Sequence, residues 1–122
     1  MNIEQGGIRN GDGDGNSQRG LGVMERTFAG ELLRAALDGK TDEVSDLSSW
    51  FDPDWVFDPW LQHLTRVIFQ LSDNGEPVGP ATLRREWTDA QGWDAMQLGE
   101  LINEGATGNH STYYARQVHE YW

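Results

Sequence analysis

The sequence predicts an all-α fold, a compact bundle of five or six short helices. Three observations point there. From Val23 onward apolar residues recur three and four positions apart, the spacing that gathers them on one side of a helix. The stretches are bounded by residues suited to helix termini. No stretch alternates apolar and polar residues with the period of two that a half-buried strand requires. Asp12-Gly13 and Asn74-Gly75 are hairpin-turn dipeptides, but one follows a polar segment and the other a helical pattern. Neither joins two β-branched runs.

Residues 1–22 read as a disordered tail, with glycines at 6, 7, 11, 13, 15, 20 and 22 and little apolar surface to offset the entropy of ordering. The helical domain then spans 23–122. A first helix is predicted over 24–37. Met24, Phe28, Leu32 and Ala36 step by four, and Leu33 and Leu37 widen the stripe. Asp38-Gly39 is its stop, with Gly39 free to turn left-handed. A second helix starts at Thr41, which can cap it. Asp42 and Glu43 suit the positive end of its dipole, and Val44, Leu47 and Phe51 form its buried face. Pro53 breaks this run before an aromatic corner, Trp55-Val56-Phe57.

The third helix has the clearest boundaries. Asp58 is its N-cap, Pro59 fits the first helical position, and Asn74-Gly75 ends it. Trp60, Leu61, Leu64, Val67, Ile68 and Leu71 make a wide apolar face. Pro77 and Pro80 frame an extended loop, and Pro80 opens a short helix to Trp87 with Leu83 and Trp87 turned inward. A fifth helix is predicted over 94–103, with Met96, Leu98, Leu101 and Ile102 apolar, closed by Gly105. A sixth covers 110–122, with Tyr114, Val118 and Trp122 on one face.

Composition narrows the function classes. At 122 residues and 13.7 kDa the chain holds one small domain. Twenty Asp and Glu against nine Lys and Arg give a net charge of -11, and Lys40 is the single lysine. Such an acidic surface argues against sequence-independent binding of nucleic acid or anionic lipid, which needs clustered Lys and Arg. Without cysteine there is no disulfide, no thiolate metal site and no thiol catalysis. No apolar run approaches the roughly 20 residues of a membrane span, and no signal-peptide core opens the chain. The expectation is a soluble, cytoplasmic protein that touches no membrane.

The chemical motifs are near misses. Asn10 to Asn16 alternates oxygen ligands with glycine like the start of a calcium loop. Counted from Asp12 the twelfth position is Val23, and from Asn10 it is Leu21, so the closing carboxylate is missing. Gly39-Lys40-Thr41 ends like a phosphate-binding loop, but the position five residues before Gly39 is Arg34, within a helix. His63, His110 and His119 form no i, i+4 pair, and a zinc site needs three or four convergent ligands. No nucleophile elbow of the Gly-x-Ser-x-Gly kind is present. No catalytic, cofactor or metal residue is therefore expected. Six tryptophans remain. Trp50, Trp55, Trp60 and Trp87 fall at helix ends or inward positions and read as core. Trp93, with Tyr113, Tyr121 and Trp122, makes the candidate interface, because exposed aromatics mark protein contacts.

The order of features from Glu25 to Glu120 resembles the N-terminal domain of DnaB-type replicative helicases. Glu25 with Glu31-Leu32-Leu33 matches the family's acidic residue and Leu-rich helix. Val44 and Leu47, the corner Asp54-Trp55, and His63-Leu64 with Ile68 and Leu71 follow in the family's order. Leu71, Asn74-Gly75, Pro77-Val78 and Thr82-Leu83 resemble its Leu, Gly-x-Pro-Val/Ile, Thr-Leu segment. Leu98, Leu101 and Tyr114-Ala115-x-x-Val118-x-Glu120 resemble its last globular helix. The sequence departs from the pattern at Leu61, where the family has a second His, and at Gly92-Trp93, where it has Gly-Gly.

In the family a helical hairpin, a linker and a RecA-like ATPase follow this domain. The resemblance thus implies a domain without the ATPase: a non-catalytic interaction module of DNA replication, with a replicative helicase, a primase or a helicase loader as partner. It also makes a homodimer a candidate assembly, with no direct contact to nucleic acid. A natural stand-alone protein and a fragment of a longer helicase both fit. A second class remains open: an acidic inhibitor or DNA mimic that places carboxylates in the basic channel of a DNA-binding protein.

Overall fold

The computed structural model describes residues 13–87, 92–104 and 110–120. All regular structure in them is helical. Helix α1 covers Gly13–Leu37, α2 Thr41–Trp50, α3 Pro59–Asp73, α4 Pro80–Glu86, α5 Ala95–Glu104 and α6 Ser111–Glu120, with a single 3-10 turn at Pro53–Trp55. Helix α1 is the organising element, packed by α2, α3, α5 and α6.

The helix termini follow local chemistry. Asp58 caps α3, its carboxylate accepting the backbone N–H of Trp60 at 2.9 Å and of Leu61 at 3.1 Å, with Pro59 in the first helical position. Asp94 caps α5 through the N–H of Gln97 at 3.0 Å, so the helix proper starts one residue later than expected. Helices α1 and α3 stop in the same way. Gly39 and Gly75 take left-handed φ values of 78° and 73°. The N–H of Lys40 then reaches the Ala35 carbonyl at 2.9 Å and that of Glu76 reaches Leu71 at 2.9 Å. The glycine N–H groups bond Ala36 and Ser72. These paired bonds satisfy carbonyls that the helix end would leave bare.

Three expectations on the elements need correction. The first helix begins at Gly13, ahead of the expected Met24, and takes in part of the segment read as a disordered tail. Extending a helix already anchored by packing needs no new nucleus, so poor helix formers are carried along at its end. Thr41 is the first residue of α2 rather than its cap; Lys40 holds the cap position, and no side chain caps the helix. The short helix after Pro80 closes at Glu86, leaving Trp87 as its C-cap. The expected closure at Gly105 and the final residues Tyr121 and Trp122 lie outside the described residues.

The core follows the apolar stripes. Phe28, Leu32, Leu33, Leu47, Leu64, Ile68, Leu71, Leu83 and Leu101 are fully buried, with Val67, Val118 and Phe51 close behind. Tyr114 is half-buried, as are Trp50, Trp55 and Trp60; only Trp87 of the four tryptophans read as core is buried. These half-buried rings pack against the core from its edge. Met96, grouped with the apolar residues of the fifth helix, is 76% exposed.

Candidate interaction surface

Two buried carboxylates position the helices around α1. Glu25 is 2% exposed, and its two oxygens accept the backbone N–H of Phe57 at 2.7 Å and of Asp58 at 3.1 Å. It ties the aromatic corner and the start of α3 to α1. Burial pushes its carboxyl up from the ordinary value, more than those two N–H bonds pull it down. Glu31, 5% exposed, accepts the N–H of His110 at 3.2 Å, just ahead of α6. Glu43 of α2 accepts the hydroxyl of Ser111, the first residue of α6. On the other flank Arg26 forks onto Glu104 at 2.8 and 3.0 Å and reaches Glu100 at 3.3 Å, clamping α5 to α1.

Aromatic rings gather in two groups on this frame. Phe28, Trp50, Trp55 and Phe69 all pack against Phe51, and the imidazole of His119 stacks on Trp55 at 4.1 Å between centroids. Trp60, Trp87 and Trp93 form the second group, with His63 edge-on to Trp87 at 4.6 Å. His63 is thus a packed histidine. Burial, aided by the nearby Arg66, lowers its pKa from the usual value. The Trp60 indole N–H donates to the Gly92 carbonyl at 3.0 Å, which fixes the approach to α5.

Two of the four candidate interface residues, Trp93 and Tyr113, lie among the described residues. Trp93 is half-buried, edge-on to Trp87 at 5.4 Å, with the Arg84 guanidinium 5.8 Å from its ring centre. It belongs to the second aromatic group, on the α3–α4 side. Tyr113 stands 60% exposed on α6 and packs edge-on to Tyr114 at 5.1 Å. Tyr121 and Trp122 lie outside the described residues.

A concave feature is formed by the helix ends. A groove of about 490 Å³ opens where α1 ends, α2 begins and α3 ends. Ala36, Leu37, Val44, Pro77 and Val78 line it with apolar surface, and Thr41, Ser72 and Glu76 add polar groups. The two left-handed glycines that stop α1 and α3, Gly39 and Gly75, sit in its wall. The Pro77–Val78 side is held by Thr82: its hydroxyl accepts the Gly79 N–H at 2.9 Å and donates to the Pro77 carbonyl at 2.9 Å. Sequence reasoning identified both stops and the Gly75-Pro77-Val78-Thr82 segment, but not that the stops meet. The available signal was their identical chemistry on two helices of one apolar bundle.

No family model, curated protein or solved structure matches this chain. Among the described residues no group of three or more His, Asp or Glu converges to hold a metal ion. Among them, too, no helix is long and apolar enough to cross a membrane.

Proposed function

We propose that this chain is a non-catalytic protein-interaction module of DNA replication, acting in the cytoplasm as a counterpart of the N-terminal domain of DnaB-type helicases. Its partner is a replicative helicase, a primase or a helicase loader. The supporting observation is the use made of the residues that carry the resemblance. Glu25 and Glu31 are both buried ties between helices, although charged residues are rarely buried without a specific partner. Gly75, Pro77 and Val78 line one wall of the apolar groove, and Thr82 holds Pro77 in place. An apolar groove on a small rigid bundle suits the burial of a few anchor side chains, where most interface energy resides.

A pulldown with the cognate helicase and primase tests this. Recovery of either supports the reading; recovery of neither contradicts it.

One observation favours the acidic-inhibitor reading. From 41 to 58 the chain carries Asp42, Glu43, Asp46, Asp52, Asp54 and Asp58 and no Lys or Arg. Asp42, Asp46, Asp52 and Asp58 are exposed. That reading requires binding that collapses as salt rises, because exposed charges are screened beyond about 10 Å at 0.1 M ionic strength.

A further inference from the structure

We infer that the groove between the ends of α1 and α3 accepts a segment of a partner protein bearing two apolar side chains flanked by Lys or Arg. This rests on reading the chain as an interaction module and names the partner chemistry. Size is the first argument. At about 490 Å³ the groove falls in the range of roughly 300–1,000 Å³ typical of binding sites, and it is floored by Ala36, Leu37, Val44, Pro77 and Val78. Two aliphatic side chains fit such a volume; a whole helix face does not.

Charge is the second argument. Glu76 lines the groove, and Asp38, Lys40, Asp42 and Asp73 each adjoin a lining residue in sequence. Asp38 pairs with Arg34 and Glu76 with Arg85, while Asp73 accepts the Ser48 hydroxyl at 3.2 Å. Asp42 and Asp73 are exposed and directly follow the lining residues Thr41 and Ser72 in sequence. A chain of net charge -11 repels an acidic segment and a second copy of itself, and attracts a basic one. The apolar floor then selects among basic segments those with aliphatic anchors.

The experiment uses the full chain and a fluorescein-labelled peptide with two leucines flanked by lysines, read by fluorescence anisotropy. Thr41→Trp fills the groove from an exposed position, Asp42→Lys reverses the rim, and Met96→Trp adds the same bulk on α5. Arg26 holds α5 at a turn of α1 that lies about 15 Å from Ala36 at 1.5 Å per residue. Circular dichroism confirms that each variant is folded. The expected result is a loss of at least about tenfold in affinity for Thr41→Trp, several-fold for Asp42→Lys and none for Met96→Trp. Equal binding to Thr41→Trp and the native chain overturns the assignment, and so does no binding to either. Dimerisation of the native chain that Thr41→Trp abolishes also overturns it, since the groove then holds a second copy.

A parallel co-elution with the cognate helicase separates the two readings. A helicase that binds Thr41→Trp as well as the native chain leaves the replication module standing and removes the groove. Peptide binding without helicase binding does the reverse.

Discussion

Glu25 shows what a single residue contributes here. It is nearly inaccessible to solvent and accepts hydrogen bonds from two backbone N–H groups. A hydrogen bond contributes about 0.5–1.5 kcal/mol, and up to about 3 where one partner is charged, so Glu25→Ala, which loses two, should cost roughly 2–4 kcal/mol in denaturant unfolding. Its pH dependence has a definite sign. The folded-state pKa lies above the unfolded value of 4.5, so the folded state holds its proton in a window where the unfolded state has released it. The stability tied to this group is complete below 4.5 and is lost as pH rises through the folded value. Against Glu25→Gln, which does not titrate, the native chain should gain stability as pH falls from neutral towards 4.5. A constant difference between the two proteins would refute the burial argument. Trp87 offers a second test. It is 6% exposed, and its indole N–H has no hydrogen-bond partner among the described residues. Trp87→Phe should therefore cost less than about 1.5 kcal/mol, whereas Trp87→Ala opens a cavity beside Trp60 and Trp93 and should cost about 3–5 kcal/mol.

At the scale of elements, local signals were legible in the sequence and distant ones were not. Asp58-Pro59 and Asn74-Gly75 mark the ends of α3 because caps and left-handed stops act within a few residues. The burial of Glu25 and Glu31 was not legible, because the N–H groups that justify it come from the aromatic corner and from the approach to α6. Phe69 lay off the predicted stripe of α3, yet it is buried edge-on to Phe51, which only the packing of α2 on α3 supplies. The groove was hidden for the same reason: its walls are two helix stops far apart in sequence. Gly75 tests the stop itself. A Cβ there meets nothing within 4 Å, so Gly75→Ala should cost only the left-handed backbone penalty, about 1–2 kcal/mol by thermal unfolding. Gly75→Asn should cost less. Glu31 tests the docking of α6: Glu31→Ala should speed amide exchange across Ser111–Glu120 while leaving Pro59–Asp73 protected.

Across the whole molecule, the acidic charge and the apolar groove make opposite demands on binding. Charge steers partners and sets association rates, and salt weakens it; buried apolar anchors set how long a complex lasts. If the groove carries the affinity, raising salt from about 0.1 M to 1 M should weaken a partner complex by less than about tenfold. A DNA mimic would lose far more over that range. The all-α fold, with α1 tied to α3 and α6 by Glu25 and Glu31 and to α5 by Arg26, is a rigid platform for either role. Size-exclusion chromatography with light scattering decides between them most directly, run on the chain alone and mixed with a DnaB-type helicase from the same source. The prediction is a helicase peak that gains mass and carries the chain with it in high salt. A chain that elutes separately and alone would contradict a replication module that binds the helicase.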